Sequence, residues 1–371
     1  MSVKVVHLTS VHVPFDTRIF HRECKSLSRH GYHVVLIAQH DHDETIDGIT
    51  IQAVPKINGK LERLMKSARN VYQTALQHPD AALVHFHDPE LIPFGLLLKR
   101  KGFKVIYDVH ENVPRQILAK DWIPSFLRKP LSGTIGLLEK WAANRLDHII
   151  VTIPDIQKRF EKNHCTIVHN FPRVVKSDQS LIPYSERPQW ISYIGGITPV
   201  RGALEMVKAV EIASKNRDMT LVLGGRIAPE QFKGQLQQEA GWQNVDYRGW
   251  VHRSEFEDIM NHSKMGLVTM KPSPNHLIGY PTKLLEYLAY GLPVISSDFP
   301  FCKEIIETAQ CGILVNPNKS EAIANAITWI LDHPEEAEAM GQRGKEYVLK
   351  HFTWDSEEKQ LLKVYEEVLG N

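Results

Sequence analysis

The chain has 371 residues, 43% of them hydrophobic and 23% charged, with a net charge of +1. That length suits two α/β domains better than one core, and the composition is globular rather than disordered. A near-zero charge argues against a nucleic-acid binder, which carries a large basic excess. Four cysteines, Cys24, Cys165, Cys302 and Cys311, stand in no CxxC or zinc-ribbon spacing and read as reduced thiols. The first residues lack a signal-peptide layout, and no apolar run nears the roughly 20 residues of a membrane span. The expectation is a soluble, cytoplasmic protein, with peripheral attachment to the inner face of a membrane left open.

Short apolar runs alternate with longer amphipathic stretches, the rhythm of βαβ units and a mostly parallel sheet. Strands are predicted over Val3 to Leu8, His33 to Ala38, Ile49 to Val54, Leu83 to Phe86, Val105 to Asp108 and His148 to Thr152. Ile19 to His30 reads as the first helix, stopped by Gly31, and Leu137 to Arg145 as another. After a polar, proline-bearing stretch from Phe171 to Pro188 the rhythm restarts at Trp190 to Ile194. Further strands follow at Thr220 to Leu223, Val245 to Tyr247, Met265 to Thr269, Val294 to Ser296 and Gly312 to Val315. The restart predicts a second doubly wound domain, with His169-Asn170-Phe171-Pro172 as linker. Phe352-Thr353-Trp354 opens a final helix that the pattern lets pack on either domain.

Two segments carry the chemistry. In Tyr193-Ile194-Gly195-Gly196-Ile197-Thr198-Pro199-Val200-Arg201-Gly202 a strand ends in glycines and a helix begins. Glycines let backbone N–H groups approach an anion, the helix N-terminus adds partial positive charge, and Arg201 adds a bidentate cation. It is neither a Walker A loop nor a G-x-G-x-x-G, so a nicotinamide cofactor is disfavoured. In Gly279 to Ile295 a loop ends at Pro281 and a short helix turns Leu284, Leu285 and Leu288 inward. Glu286 lies mid-helix, where a carboxylate suits a ribose diol; a surface pair with Lys283 is the plainer alternative.

Other motifs tempt less. Asp41-His42-Asp43 is a D-x-D in a polar run and reads as a solvated loop. His85 and His87 share a strand face, a spacing that can bind zinc, with His110 and Glu111 as the only evident further ligands. Cleft-lining residues are favoured there over a metal. The basic stretch Lys56 to Arg69, and Arg115 to Trp141 with Trp122 and Phe126, could touch an anionic membrane. A helix with a solvated charged face ranks slightly ahead.

The glycine segment and the Pro281 block, in this order, resemble the retaining GT-B glycosyltransferases of family 4, across nearly the whole chain. Ser10 to Phe20 resembles that family's first loop, Asp108-Val109-His110-Glu111 its histidine segment, and Phe352-Thr353-Trp354 its C-terminal helix entry. The resemblance implies an α/β, GT-B fold: two facing Rossmann-like doubly wound domains with a C-terminal crossover helix. Residues 1–170 would form the acceptor-side domain, with 352–371 packing back on it, and 171–351 the nucleotide-sugar domain. It further implies that Arg201 neutralises the donor pyrophosphate and Glu286 binds the ribose hydroxyls. His110 would face the donor sugar, and Asp16 and Arg18 would lie on the acceptor side. Gly195 and Gly196 would keep the diphosphate loop open, Pro281, Thr282 and Lys283 would lie by the phosphates, and Val251 near the nucleobase.

The implied activity is transfer of a hexose from a nucleoside-diphosphate sugar, UDP first by family frequency, to a glycan, lipid-linked or small-molecule acceptor. No metal or other cofactor is expected. Two departures from the family pattern stand out: Ile278 replaces a second acidic residue eight positions before Glu286, and Gly196-Ile197 replace a basic residue after Gly195. Arg226 and Lys283 remain the two candidates for that missing cation. A sugar-nucleotide epimerase of the same fold and a non-catalytic nucleotide-sugar or partner-binding subunit are the competing readings.

Overall fold

The computed structural model describes residues 2–57, 63–118, 123–160, 164–173, 182–273, 277 and 279–370. Ile278, Trp122 and part of the Lys56 to Arg69 stretch lie outside the described residues. The chain divides into two compact units, Met1–Asn170 with Trp354–Asn371, and Phe171–Thr353.

The first unit is built on eight strands: β1 (Lys4–Leu8), β2 (His33–Gln39), β3 (Glu44–Ile46), β4 (Ile49–Val54), β5 (Leu83–Phe86), β6 (Lys104–Val109), β7 (His148–Val151) and β8 (Cys165–Ile167). They lie in the order β3-β4-β2-β1-β5-β6-β7-β8. All neighbours are parallel except β3, which returns antiparallel against β4. Strands such as Val34-Val35-Leu36-Ile37-Ala38 are buried on both faces, which is why they read as unbroken apolar runs. One face packs under Ala68–Ala75 and Ile92–Arg100, and the other under Ile19–Arg29 and the C-terminal helix.

That last helix, Trp354–Leu369, belongs to the first unit. Trp354 is fully buried and its Nε1–H donates to Ser26 Oγ at 2.8 Å. Ser26 Oγ in turn donates to Glu358 at 2.7 Å, and the His169 backbone N–H donates to Glu357 at 2.7 Å. Leu361, Val364, Tyr365 and Val368 complete its buried stripe.

The second unit has six parallel strands, β9 (Trp190–Ile194), β10 (Thr220–Gly224), β11 (Val245–Gly249), β12 (Ser263–Val268), β13 (Val294–Ser297) and β14 (Gly312–Val315). Their order is β11-β10-β9-β12-β13-β14. The chain direction through the sheet reverses between β9 and β12, the switch point outside which open α/β sheets place their ligands.

Several elements differ from the sequence reading. The helix expected from Leu137 to Arg145 is longer, Ser125–Ala143, with Pro130 inside its N-terminal half. Strands β3 and β8 were too short for alternation to show. Asp41-His42-Asp43 leads into β3 as an exposed bend; Asp41 pairs with Lys56 at 2.9 Å and Asp43 accepts the Ala53 N–H at 2.7 Å. On Ser125–Ala143, Phe126, Leu137, Leu138 and Trp141 are exposed. Among the described residues no helix is long and apolar enough to cross a membrane.

Trp354→Ala is expected to cost the first unit about 3–5 kcal/mol, read as a lowered urea midpoint, whereas Leu349→Ala, at an exposed position, should leave it unchanged.

Candidate functional site

In the second unit the site grows from the end of β9. Tyr193 Oη donates to the Gly196 carbonyl at 2.8 Å, and the Ile194 N–H donates to Tyr287 Oη at 2.8 Å. These two tyrosines hold the glycine turn from both sides. Gly195 adopts φ +143°, and a Cβ there would sit 2.2 Å from Lys283 Cε and Nζ. The lysine therefore crosses directly over a position that only glycine can fill. Gly225 backs the turn in the same way: its φ is +129° and a Cβ would lie 2.0 Å from the Gly195 carbonyl oxygen.

Lys283 enters on the first turn of Thr282–Ala289, whose N-terminal flank is Pro281. Burial pushes its ammonium down to about 8, and the neighbouring charge of Arg201 adds to that, while Glu286 opposes it. Arg201 and Lys283 thus share one small region, and Glu286, three residues on from Lys283, stands on the same side of the helix. Arg201 Nη1 rests 3.4 Å from Met270 Sδ, just past the end of β12. Gly202, at φ +76°, lets the following helix Ala203–Ala213 pack against the Thr269 carbonyl, 2.1 Å from where a Cβ would be.

Of the two candidates for the missing family cation, Lys283 is the one that lies against the Gly195 turn and feels the charge of Arg201. Arg226 is exposed, beyond Gly225. Val251 packs on the end of β10, where a Cβ on Gly224 would meet its Cγ2 at 2.5 Å. Gly196 is exposed, and Pro281 and Thr282 are half-buried. The second unit therefore groups Gly195, Gly196, Arg201, Lys283 and Glu286 around its switch point and helix N-terminus.

In the first unit, Asp108 at the end of β6 is the pivot. Arg18 Nε and Nη2 donate to its two oxygens at 2.7 and 2.9 Å, and Nη1 donates to the Val168 carbonyl and Asn170 Oδ1, both at 2.9 Å. Arg18 is buried, so its guanidinium is committed within the unit. Although burial opposes it, Arg18 holds Asp108 well below the usual carboxylate range. His110 Nε2 lies 2.8 Å and His87 Nδ1 3.2 Å from Asp108 Oδ2. An ionised carboxylate only accepts, so the nitrogens of both rings that face it carry hydrogens.

The loop after β1 is strapped down by Asp88. Its Oδ2 accepts from Thr9 Oγ1 at 2.8 Å, from Ser10 N–H at 2.6 Å and Oγ at 3.2 Å, and from Val11 N–H at 3.3 Å. Asp16 lies farther along this loop, half-buried, 3.5 Å from His12, whose Nε2 is 3.4 Å from Asp88. Against the effect of burial, Asp16 and Asp88 raise His12 to about 9. Asp16 Oδ1 also accepts the N–H groups of Arg18 and Ile19, starting the turn that carries Arg18 inward.

Sequence reasoning missed part of this cluster. His110 does meet His87, but Glu111 instead binds Gln116 at the surface. The groups that join His85 and His87 are His7, from β1, and Glu23. Their signal was present in register only: His7 pairs with His85 across the sheet.

Comparison with known proteins follows this geometry. The family described as "Glycosyltransferase Family 4" matches residues 17–171, and "Glycosyl transferases group 1" matches residues 176–347. The chain belongs to the family 4 glycosyltransferases of GT-B fold. It is therefore a glycosyltransferase. It is 24% identical over 297 residues to MMP alpha-(1->4)-mannosyltransferase of Mycolicibacterium hassiacum, covering 76% of this chain and 70% of that one. Phosphatidyl-myo-inositol mannosyltransferase of Mycobacterium leprae is 24% identical over 331 residues, 85% of this chain and 82% of that. Among solved structures, sucrose-phosphate synthase from Thermosynechococcus elongatus superposes with TM-score 0.77 at 18% identity over the whole of both chains. Anabaena HepE, in complex with UDP-glucose, superposes with TM-score 0.70 at 16% identity, covering 98% of this chain and 99% of that.

Arg201→Met is expected to raise the Lys283 titration above about 8, since Arg201 is one of the causes holding it down. Carbon-detected NMR of the lysine ε-methylene reads the shift; an unchanged midpoint would separate the two side chains.

Proposed function

We propose that this glycosyltransferase moves a hexose from a nucleoside-diphosphate donor, a UDP-sugar first, to a glycan, lipid-linked or small-molecule acceptor. Configuration is retained and no metal takes part in the reaction. The observation that carries the reading is the meeting of Arg201 and Lys283 over the Gly195 turn. Two cations and a helix N-terminus in one small region suit a diphosphate.

In the transfer, the bond from the anomeric carbon to the β-phosphate oxygen breaks and the acceptor oxygen bonds to that carbon. The acceptor proton leaves with the departing nucleoside diphosphate or solvent. Negative charge builds on the β-phosphate as the bond lengthens. Arg201 and Lys283, already in place, stabilise that charge without reorganising, the kind of fixed electrostatics that dominates many rate enhancements. Glu286 accepts hydrogen bonds from the ribose diol. Thr282 and the backbone after Pro281 are assigned to the phosphates, Gly195 and Gly196 leave room for them, Arg226 is the alternative second cation there, and Val251 is assigned to the nucleobase. His110, oriented by Asp108, is assigned to the donor sugar. Asp16 is assigned to the acceptor, with Arg18 acting through the loop it anchors.

The mannosyltransferase relatives support a hexose, and the UDP-glucose held by HepE supports a uridine nucleotide. The exposed Phe126, Leu137, Leu138 and Trp141 support an enzyme, on our reading cytoplasmic, whose first unit meets a lipid-linked acceptor at the membrane surface.

A thermal-shift panel of UDP, GDP, ADP and NAD tests the donor site. One nucleoside diphosphate at about 100 times its dissociation constant should add roughly 2.7 kcal/mol. Glu286→Ala should weaken its binding by roughly 1.5–3 kcal/mol; equal affinity in the variant would remove the ribose assignment, and stabilisation by NAD alone would remove the reading.

A bound diphosphate favours the charged form of Lys283, so its pKa is higher in the complex than in the free protein. Affinity is then full below about pH 8 and declines as pH rises through that value. Calorimetric titrations at pH 7, 8 and 9 should show the decline in the wild type and its loss in Lys283→Arg.

A further inference from the structure

Three histidines and a glutamate gather beneath the C-terminal helix of the first unit. His7 and His85 are register partners on β1 and β5, and His87 follows His85 by two residues, so all three share one face of the sheet. Glu23 comes down on that face from Ile19–Cys24, a π-helical turn. Such turns are rare and frequently mark functional sites. His7, Glu23 and His85 are fully buried and His87 nearly so.

The spacing is that of a coordination shell. One nitrogen or oxygen from each residue lies within 4.8 Å of the other three. His7 Nδ1 and His87 Nε2 are 3.0 Å apart, and Glu23 Oε2 is 4.0 Å and 3.9 Å from them. Ligands at about 2.0–2.1 Å around a tetrahedral zinc are separated by roughly 3.3–3.4 Å. The observed distances bracket that value.

Hydrogen bonding points the same way. Both Glu23 oxygens and His85 Nε2 are buried side-chain atoms without a geometric hydrogen-bond partner among the described residues. Glu23 Oε1 sits 2.9 Å from Arg18 Nε, an N–H that Asp108 already takes, and burial beside Asp108 pushes the Glu23 carboxyl well above its ordinary range, an effect that a cation bound among these residues would reverse. Buried polar atoms are rarely left so, and an unseen ion is one standard reason.

We propose that His7, His85, His87 and Glu23 hold one divalent transition-metal ion, zinc foremost, in a closed structural site that ties the C-terminal helix to the sheet. The outer partners fit this assignment at every histidine. His87 Nδ1–H faces Asp108 at 3.2 Å, a carboxylate–histidine pair of the kind that orients metal ligands. His7 Nε2 and His85 Nδ1 both face Tyr365 Oη, at 2.9 and 2.8 Å. When those nitrogens carry the hydrogens, Tyr365 accepts both, and the lone pairs of His7 Nδ1, His87 Nε2 and His85 Nε2 are left for an ion. The 3.0 Å contact between His7 Nδ1 and His87 Nε2 is then two ligands on one ion rather than a hydrogen bond.

Imidazole nitrogens with one carboxylate select zinc and its neighbours over magnesium or calcium. Full burial leaves no ligand position for water or substrate, so the ion does not enter the transfer reaction. A second group, His87, Asp108 and His110, shares one histidine. Its carboxylate is already matched by both forks of Arg18, which makes it the poorer host.

The full chain, purified without a histidine tag, is expected to carry about one equivalent of zinc by mass spectrometry, closed tetrahedral sites holding a single ion. The ion should survive EDTA dialysis at neutral pH. Protein refolded with Co2+ should show the visible absorption of tetrahedral cobalt. Returning Zn2+ to stripped protein should raise Tm by roughly 5 °C or more at saturation. His85→Gln should lose the metal while His110→Gln keeps it; if His85→Gln does not fold, the wild-type cobalt spectrum decides. Folded wild type with neither bound metal nor a response to Zn2+ or Co2+ would overturn the proposal, as would metal loss in His110→Gln alone. Nucleotide binding is read in the other unit and fails or succeeds independently.

Discussion

A guanidinium taken out of water must meet its counter-charge, and in the first unit that demand organises nearly everything around it. Arg18 reaches Asp108 with two donors and the last residues before the second unit with a third nitrogen. Removing one partner from such a pair strands the other in a low-dielectric interior, which is why the pair is strongly constraining even where its net contribution is small. Asp108, kept ionised, then fixes the tautomers of His87 and His110. The loop from Thr9 to Asp16 is held separately by Asp88, so the end of β1 and the end of β6 are set by two carboxylates on adjacent strands of the sheet.

The second unit solves a different problem. There the charges sit at the switch point of a parallel sheet, and backbone rather than side chain makes room for them. Gly195 and Gly225 press their backbones together, and Lys283 lies across the space a side chain would fill. The lysine's crowding costs it part of its proton affinity, and the arginine beside it costs more. An anion bound between two such cations, as proposed above for the donor diphosphate, would relieve both effects.

Much of this was legible in the order of residues, for physical reasons. Strands buried on both faces leave uninterrupted apolar runs, so β2, β7 and β10 were visible at once. The Gly195 turn and the Pro281 helix were visible because glycine, proline and helix-start chemistry are local. What stayed hidden depended on register. Nothing within Val5-Val6-His7 or Arg22-Glu23-Cys24 says that these residues meet, because the pairing of β1 with β5 and the π-turn before Lys25 are not written in any short window. The same holds for Tyr365, 280 residues from His85 and yet bonded to it. The choice between Arg226 and Lys283 was equally a matter of three-dimensional approach.

The placement of Trp354–Leu369 in the first unit has a consequence for how the polypeptide matures. The second unit is one continuous segment, complete once residue 353 has been made, whereas the first is discontinuous. During synthesis the earlier sheet must wait, with His7, His85 and the Ser26 hydroxyl still exposed, until Trp354–Leu369 leaves the ribosome. Domains made from one stretch close early, and contacts of high sequence separation close late. A segment made after the whole second unit thus seals the core begun before it, and a product cut before Trp354 would be trapped with its first unit unfinished.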